Sequence, residues 1–405
     1  MRILIVSQYF WPETFRINDL ALGLKERGHA VEVLTGMPNY PGGKLYPGYR
    51  ACSPATESYE GIPVMRVPVF PRGPARNWRL ALNYASFAMS ASLLGPLRCA
   101  GKYDVIFVYE PSPITVGLPG IVLKAIKQAP LLFWVQDLWP ESLSATGAVS
   151  SPRMLRLVRR LVDFIYRRCD RVLVSSQGFT GHVLASGIDG GRVVHFPNWA
   201  ESLYQPLTAV PASVQQEMPD GFKVMFAGNI GSAQSFATIL DAAERLKSHR
   251  EIQWVILGDG NMRSWVAAEA RRRGLEGQLH LLGSRPTDTM PGYFAAAQVL
   301  LVTLKADPVF ALTVPSKIQS YLACGKPVIA ALNGEGARIV TESAAGISCA
   351  AEDPDQLAAA VLALYGMSGA QRLAMGAKAR SYFEANYERE MLLDRLERWM
   401  SDASR

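Results

Sequence analysis

The sequence predicts an α/β protein made of two Rossmann-like, doubly wound parallel sheets facing each other across a cleft. Three observations lead there. Short apolar runs of strand length alternate with helical periodicity throughout, the pattern of parallel strands covered by helices. The chain has 405 residues, more than one core usually organises. Between Pro197 and Gly221 the composition turns polar, with Pro206, Pro211 and Pro219 interrupting it, which marks 204–220 as a linker between domains at 1–203 and 221–386.

In the first half, strands are expected near 2–7, 30–35, 62–69, 104–109, 131–135, 171–175 and 192–196. The opening run Met1 to Val6 is closed by Ser7-Gln8, too short for a signal-peptide core but suited to a buried strand. A helix over 15–28 carries Leu20, Leu22 and Leu24 and stops at Gly28, making His29 a packed turn residue rather than a catalyst. Trp78 to Leu97 approaches membrane-spanning length. Arg79, Asn83, Ser86, Ser90 and Ser92 make it a poor span, so it is read as a core or interfacial helix. In the second half, strands are expected near 222–227, 252–257, 278–282, 298–304, 327–331 and 346–349, and Gln371 to Met400 reads as helix broken near Asn386-Tyr387. No internal repeat or low-complexity tract is present.

Composition narrows the function classes. With 49% hydrophobic and 19% charged residues, the chain is globular rather than disordered. A net charge of +7 favours anionic partners: nucleotide phosphates, nucleic acid or an acidic membrane. Five scattered cysteines without a CxxC argue for a reducing compartment and against a disulfide frame or structural zinc. Arg153 to Arg171 holds seven arginines on a helix whose other face is apolar, which suits an acidic cytoplasmic leaflet as well as a plain surface helix. Arg72, Arg76 and Arg79 precede or open the apolar 78–97 segment and support a peripheral place on the inner face of the membrane. No nucleic-acid motif accompanies the charge.

The chemistry-bearing segments sit at expected strand ends. Thr313-Val314-Pro315-Ser316 opens a helix, with a hydroxyl as cap candidate and proline in the first turn. Its free N–H groups and Lys317 form an anion site. Gly228-Asn229-Ile230-Gly231 follows a strand and lets backbone approach an anion closely, with Gln234 and Ser235 as donors to a diphosphate. It is not GxGxxG, which disfavours a standard dinucleotide site. Gly258-Asp259-Gly260 and Gly283-Ser284-Arg285 are two further glycine turns, and all four segments line one crevice if their strands share a sheet. In the first half, Asp137 closes a buried strand and is placed to orient or deprotonate an acceptor hydroxyl, with Glu13 the second acid. Glu352-Asp353-Pro354-Asp355 contains a DxD spacing but precedes a helix, so capping explains it better than a metal, and no catalytic metal or cofactor is expected.

The ordered set YFWPE, RGHAVEVLTG, QDLWPE, FPNW, FAGNIG, LGDG, LLGSRP and PSKIQSYLACGKPVIA resembles the bacterial family-4 glycosyltransferases, in the colanic-acid and O-antigen (WbuB/WcaI-like) branch. The resemblance implies a GT-B fold whose last helix, about 387–405, returns to the first domain. It implies retaining, metal-independent transfer of a sugar, expected to be N-acetylated or deoxy, from a UDP-sugar to a polyprenyl-diphosphate-linked glycan. Carried over by position, Gly228 to Gly231, Pro315, Ser316 and Lys317 would lie near the diphosphate, Gly258 to Gly260 and Arg285 near the nucleoside, and Asp137 and Glu13 on the acceptor side. The chain departs from the family at Leu312 and Ser320, which stand at the Glu-x7-Glu positions, leaving Ser320 to contact the ribose. Asn229 and Gln234 replace the usual basic pair of the first C-terminal loop, and Gln136 the usual histidine. Two alternatives stay open: a nucleotide-sugar epimerase or hydrolase on the same fold, and a non-catalytic partner in polysaccharide assembly, which the altered Glu and basic positions allow.

Overall fold

The computed structural model describes residues 1–51, 55–73, 77–145, 147, 149 and 151–404; Cys52 and Arg76 lie outside them. In order, the elements of the first part are β1 (Arg2–Ser7), α1 (Arg16–Glu26), β2 (Ala30–Gly36), β3 (Ala55–Tyr59), β4 (Ile62–Val67), α2 (Asn77–Arg98), β5 (Val105–Glu110), α3 (Gly117–Lys127), β6 (Leu131–Val135), α4 (Glu141–Ala145), α5 (Pro152–Arg168), β7 (Arg171–Val174), α6 (Thr180–Leu184) and β8 (Val193–His195). Then come α7 (Ala212–Glu217), β9 (Phe222–Ala227), α8 (Phe236–Arg245), β10 (Ile252–Leu257), α9 (Arg263–Arg272), β11 (Leu279–Gly283), α10 (Met290–Ala296), β12 (Val299–Thr303), α11 (Pro308–Leu312), α12 (Ser316–Ala323), β13 (Val328–Ala331), α13 (Glu335–Glu342), β14 (Gly346–Cys349), α14 (Pro354–Gly366), α15 (Gly369–Asn386) and α16 (Arg389–Ser404). Two compact units result: Met1–Pro197 with Glu390–Arg405, and Asn198–Arg389. The segment read as a linker over 204–220 belongs to the second unit, where α7 buries Val214.

In the first unit the strand order is β3-β4-β2-β1-β5-β6-β7-β8. Every pairing is parallel except β3 with β4. β3 was not anticipated, because ATESY is polar and half exposed: it is an edge strand, held by pairing to β4 rather than by burial. β5 and β6 are buried on both faces, which is why they read as unbroken apolar runs. Trp134 fixes the far side of this sheet by donating its indole N–H to the Phe196 carbonyl at 2.9 Å.

α16 belongs to this unit and is clamped by the turn after α1. Arg27 pairs with Glu390 at 2.7 Å, Asp394 at 2.5 Å and Glu397 at 2.8 Å, while His29 Nε2 meets Glu397 at 2.6 Å. His29 is thus a packing and pairing residue. α15 ends at Asn386 and α16 starts at Arg389, so the helical stretch is interrupted where the sequence places the break.

The second unit has strand order β11-β10-β9-β12-β13-β14, all parallel. Alternation along β9 builds two cores: Phe222, Val224 and Phe226 face Ile239, Leu240 and Val361, while Met225 and Ala227 face Ile318, Tyr321 and Leu322. Each such large side chain taken fully from water contributes about 1.5–3 kcal/mol. The order reverses at β9, whose neighbours are β10 and β12, so a switch point lies at the carboxyl end of β9. Asp353 caps α14 by accepting from the Gln356 amide at 2.9 Å, the role its position before a helix implied.

Arg27→Ala should loosen α16 alone. Hydrogen exchange should show faster exchange over 390–404 with the sheet unchanged, corresponding to about 1 kcal/mol, a modest figure because Glu390 and Asp394 are solvent-screened.

Candidate active site

The three glycine turns of the second unit lie side by side at the carboxyl edge of its sheet, next to that switch point. β9 is followed by Gly228, whose N–H donates to the Leu257 carbonyl at 2.8 Å. The Ile230 N–H donates to Asp259 O at 2.8 Å, and Gly258 N–H to Gly283 O at 2.9 Å, so the turns after β9, β10 and β11 are stitched edge to edge. This closeness requires glycine. A Cβ on Gly258, at φ +132°, would overlap the Gly228 carbonyl, and one on Gly260 would stand 2.7 Å from Asn229 Oδ1. Asp259 is locally satisfied, with Oδ1 accepting from Gly260 N–H at 2.8 Å.

α12 brings Lys317 to this point. Gly228 holds φ +134°, and a Cβ there would lie 2.6 Å from Lys317 Cε and 3.1 Å from its Nζ. The ammonium sits 3.6 Å from the centroid of the Phe226 ring. No carboxylate among the described residues pairs with it, and desolvation lowers its pKa from 10.5 to about 7. The start of α12 differs from expectation: Pro315 is the N-cap and supplies no side-chain cap, while the Thr313 hydroxyl turns back to the Val309 carbonyl at 3.0 Å. The opening N–H groups of Ser316 and Lys317 therefore have no side-chain acceptor, and an N-terminal dipole adds to one poorly compensated ammonium.

Other expected residues are engaged elsewhere. Gln234 Oε1 accepts from Gly231 N–H at 3.2 Å. Ser235 is buried, its hydroxyl engaged with that of Thr238 at 2.9 Å. Arg285 turns to Glu217 at 2.8 Å, to the Tyr293 hydroxyl at 2.9 Å and to the Leu282 carbonyl at 2.6 Å, which ties β11 to α7 and α10 rather than to the Gly228–Lys317 cluster. Ser320 donates back to Ser316 O at 3.4 Å.

In the first unit, Glu13 is 2% exposed, and its Oε1 accepts from the amides of Asn39 and Tyr40, each at 2.7 Å. It latches the loop after β2 instead of presenting a base. Burial raises its pKa from 4.5 to about 7 against the pull of those amides and of Arg66. Asp137 lies half-buried after β6, and burial raises its pKa although the Ser142 hydroxyl and Trp139 indole favour the charged form. Behind it, Glu110 is fully buried at the end of β5 and pushed well up by burial and by the Asp137 charge. Glu110 was missed, although an acid closing the apolar run VIFVY was a visible signal. Tyr84 and Arg72 also gather here, with Arg72 lying 5.0 Å from the Tyr40 ring centroid. No sequence period joins those positions.

A parallel-sheet switch point with glycine turns, a helix start and a half-buried, desolvated ammonium is the anion-holding end of a nucleotide-type domain. Comparison with known proteins makes the class specific. The description "Glycosyl transferase 4-like domain" matches residues 14–199 and "Glycosyl transferases group 1" matches residues 221–367. The chain belongs to this glycosyltransferase family, and it is a transferase enzyme. WcaI of Escherichia coli K12, named for colanic acid biosynthesis, is 26% identical over 80% of this chain and 82% of its own. WbjE of Pseudomonas aeruginosa, named a glycosyltransferase, is 29% identical over 78% of each. Among solved structures, Anabaena Alr3699/HepE in complex with UDP aligns with TM-score 0.74 and 16% identity, covering 99% of this chain and 100% of that one. Sucrose-phosphate synthase of Thermosynechococcus elongatus aligns with TM-score 0.74 and 15% identity over 99% of both chains. These neighbours establish the GT-B fold.

Glu13→Gln should change stability by less than about 1 kcal/mol, since an amide oxygen accepts the same two bonds, whereas Glu13→Ala should lose about 2–3 kcal/mol by stranding two amides. Because the folded state binds the Glu13 proton more tightly, this group makes the wild type less stable as pH rises from 4.5 to about 7. Thermal melting across that range should show the slope in wild type and its loss in Glu13→Gln.

Proposed function

We propose that the enzyme transfers a sugar, with retention and without a metal, from a UDP-sugar held by the second unit to a polyprenyl-diphosphate-linked glycan on the inner membrane face. The single observation that carries this reading is the Lys317 ammonium, half-buried against Gly228 and Phe226 with no carboxylate among the described residues paired to it. Such a charge is held at a cost unless an anion arrives. A diphosphate supplies it, accepting from Lys317, from the first turn of α12 and from the Gly228 to Gly231 backbone. Those same groups then stabilise the charge that builds on the departing diphosphate, the task a divalent ion performs elsewhere. UDP as the nucleotide is supported by HepE, whose structure contains it. Retention is carried over from the family. Asp137 is the acceptor-side group we assign to orient or deprotonate the incoming hydroxyl, its raised pKa suiting proton exchange. Glu13, the second acid of the same unit, acts by fixing the Asn39–Tyr40 loop. The lipid-linked acceptor and surface-polysaccharide role follow the likeness to WcaI, named for colanic acid biosynthesis.

A panel of UDP-sugars with a polyprenyl-diphosphate-sugar acceptor, read for released UDP, tests the reaction. Release that requires acceptor is expected; conversion of the donor without acceptor would mark an epimerase or hydrolase, and no turnover with any pair a non-catalytic partner.

Lys317 gives a sharper test. Unliganded, it loses its proton above pH of about 7, whereas the unfolded chain keeps it to 10.5, so this residue makes the apo protein gain stability as pH rises between those values. Bound diphosphate restores the proton. Calorimetry at pH 8 in buffers of different ionisation enthalpy should show close to one proton taken up per UDP, and affinity falling as pH climbs. Lys317→Met should abolish the uptake, weaken UDP about 100-fold, and raise the apo melting temperature, because a charge-assisted hydrogen bond contributes about 1.5–3 kcal/mol. Gly228→Ala should also lose UDP, since its Cβ displaces Lys317.

A further inference from the structure

α2, α3 and α5 form one face of the first unit. The connections β4 to β5, β5 to β6 and β6 to β7 step the same way across the sheet, and right-handed crossovers place their helices on a common side. α3 packs against both α2 and α5. On α2 every exposed residue from Trp78 onward is apolar; Met89, Leu93 and Leu97 are 65%, 72% and 80% exposed, and with Trp78 and Leu82 they make a stripe down one side. No described residue of the first unit covers it. Ile126 continues the stripe on α3 at 57% exposed. α5 differs: its exposed side interleaves Met154, Leu157 and Phe164 with Arg153, Arg156 and Arg160, none of which has a carboxylate partner among the described residues.

α2 has the length and composition to span a bilayer, but its other side rules out that use. Asn83, Phe87 and Ala91 are fully buried; Asn83 accepts from Gln8 at 2.7 Å and donates to the Phe70 carbonyl at 2.7 Å; and a Cβ on Gly95 would stand 2.8 Å from Leu34. Pulling the helix into lipid would tear out part of this unit's core. Its stripe can enter an interface only sideways. A second copy is a poor cover, because symmetric association would bring two sets of unpaired arginines together. An anionic headgroup layer meets both features at once.

We propose that the α2–α3–α5 face docks in the plane of a membrane containing anionic lipid, with the α2 stripe at the headgroup–acyl boundary and the α5 arginines on lipid phosphates. The proposal rests on the reading that the acceptor is lipid-linked, and it presents the unit that takes the acceptor to the surface where that acceptor resides. Flotation of the full chain with phosphatidylcholine vesicles, with and without phosphatidylglycerol, tests it. Wild type should float with the phosphatidylglycerol vesicles and less so at high salt. Leu93→Glu combined with Leu97→Glu should weaken binding by about tenfold or more. Arg156→Glu combined with Arg160→Glu should weaken it about tenfold at low salt and remove the preference for phosphatidylglycerol. Unchanged UDP affinity in both pairs shows that the fold is kept. No flotation of wild type, or equal flotation of the variants, overturns the proposal, as does a dimer in sedimentation velocity that Leu93→Glu dissolves. Because flotation needs neither donor nor acceptor, a wild type that floats yet transfers no sugar to a lipid-linked acceptor upholds the docking face and overturns the lipid-linked-acceptor reading instead.

Discussion

One ammonium group sets the terms for the second unit. Lys317 has been drawn out of bulk water against a glycine and the face of Phe226, and desolvation disfavours its charge. A cation–π contact offsets that penalty only in part. The position is therefore poor for stability and well suited to capturing an anion, the usual relation between a strained site and its function.

The backbone around it serves the same end. Gly228, Gly258 and Gly260 hold positive φ; a side chain on Gly258 or Gly260 would overlap the neighbouring turn, and one on Gly228 would overlap Lys317. Three loops that would otherwise crowd each other can thus end at one point on the carboxyl edge of a parallel sheet. Tyr321 fixes the distance from α12 to β9, its hydroxyl accepting from the Ala227 amide at 3.1 Å while its ring packs in the core. The lysine, the helix start and the first glycine turn therefore keep a set spacing through rigid elements, which electrostatic preorganisation requires.

The two units treat their charged groups differently. In the second, several arginines are neutralised locally: Arg273 by Asp241 and Glu244, Arg338 by Glu335 and Glu342, Arg285 by Glu217. In the first, carboxylates such as Glu13 and Glu110 are buried with raised pKa values, while the arginines of α5 stand in solvent. The net positive charge of the chain is therefore displayed on a helical face rather than distributed evenly.

The sequence alone determined the alternation of strands and helices, the glycine turns at strand ends, the break after Asn386 and the family. Each of these is written in local patterns: periodicity, residues that tolerate positive φ, and short motifs. Tertiary structure decided which of those residues share a site. That Lys317 reaches Phe226 depends on α12 and β9 meeting across nearly a hundred residues, a relation no local pattern carries. The turning of Arg285 to Glu217 and of Glu13 to the Asn39–Tyr40 amides was hidden for the same reason: a charged side chain takes whichever partner the fold brings within reach. The polar strand β3 is held by its neighbour β4, so its own residues gave no sign of it.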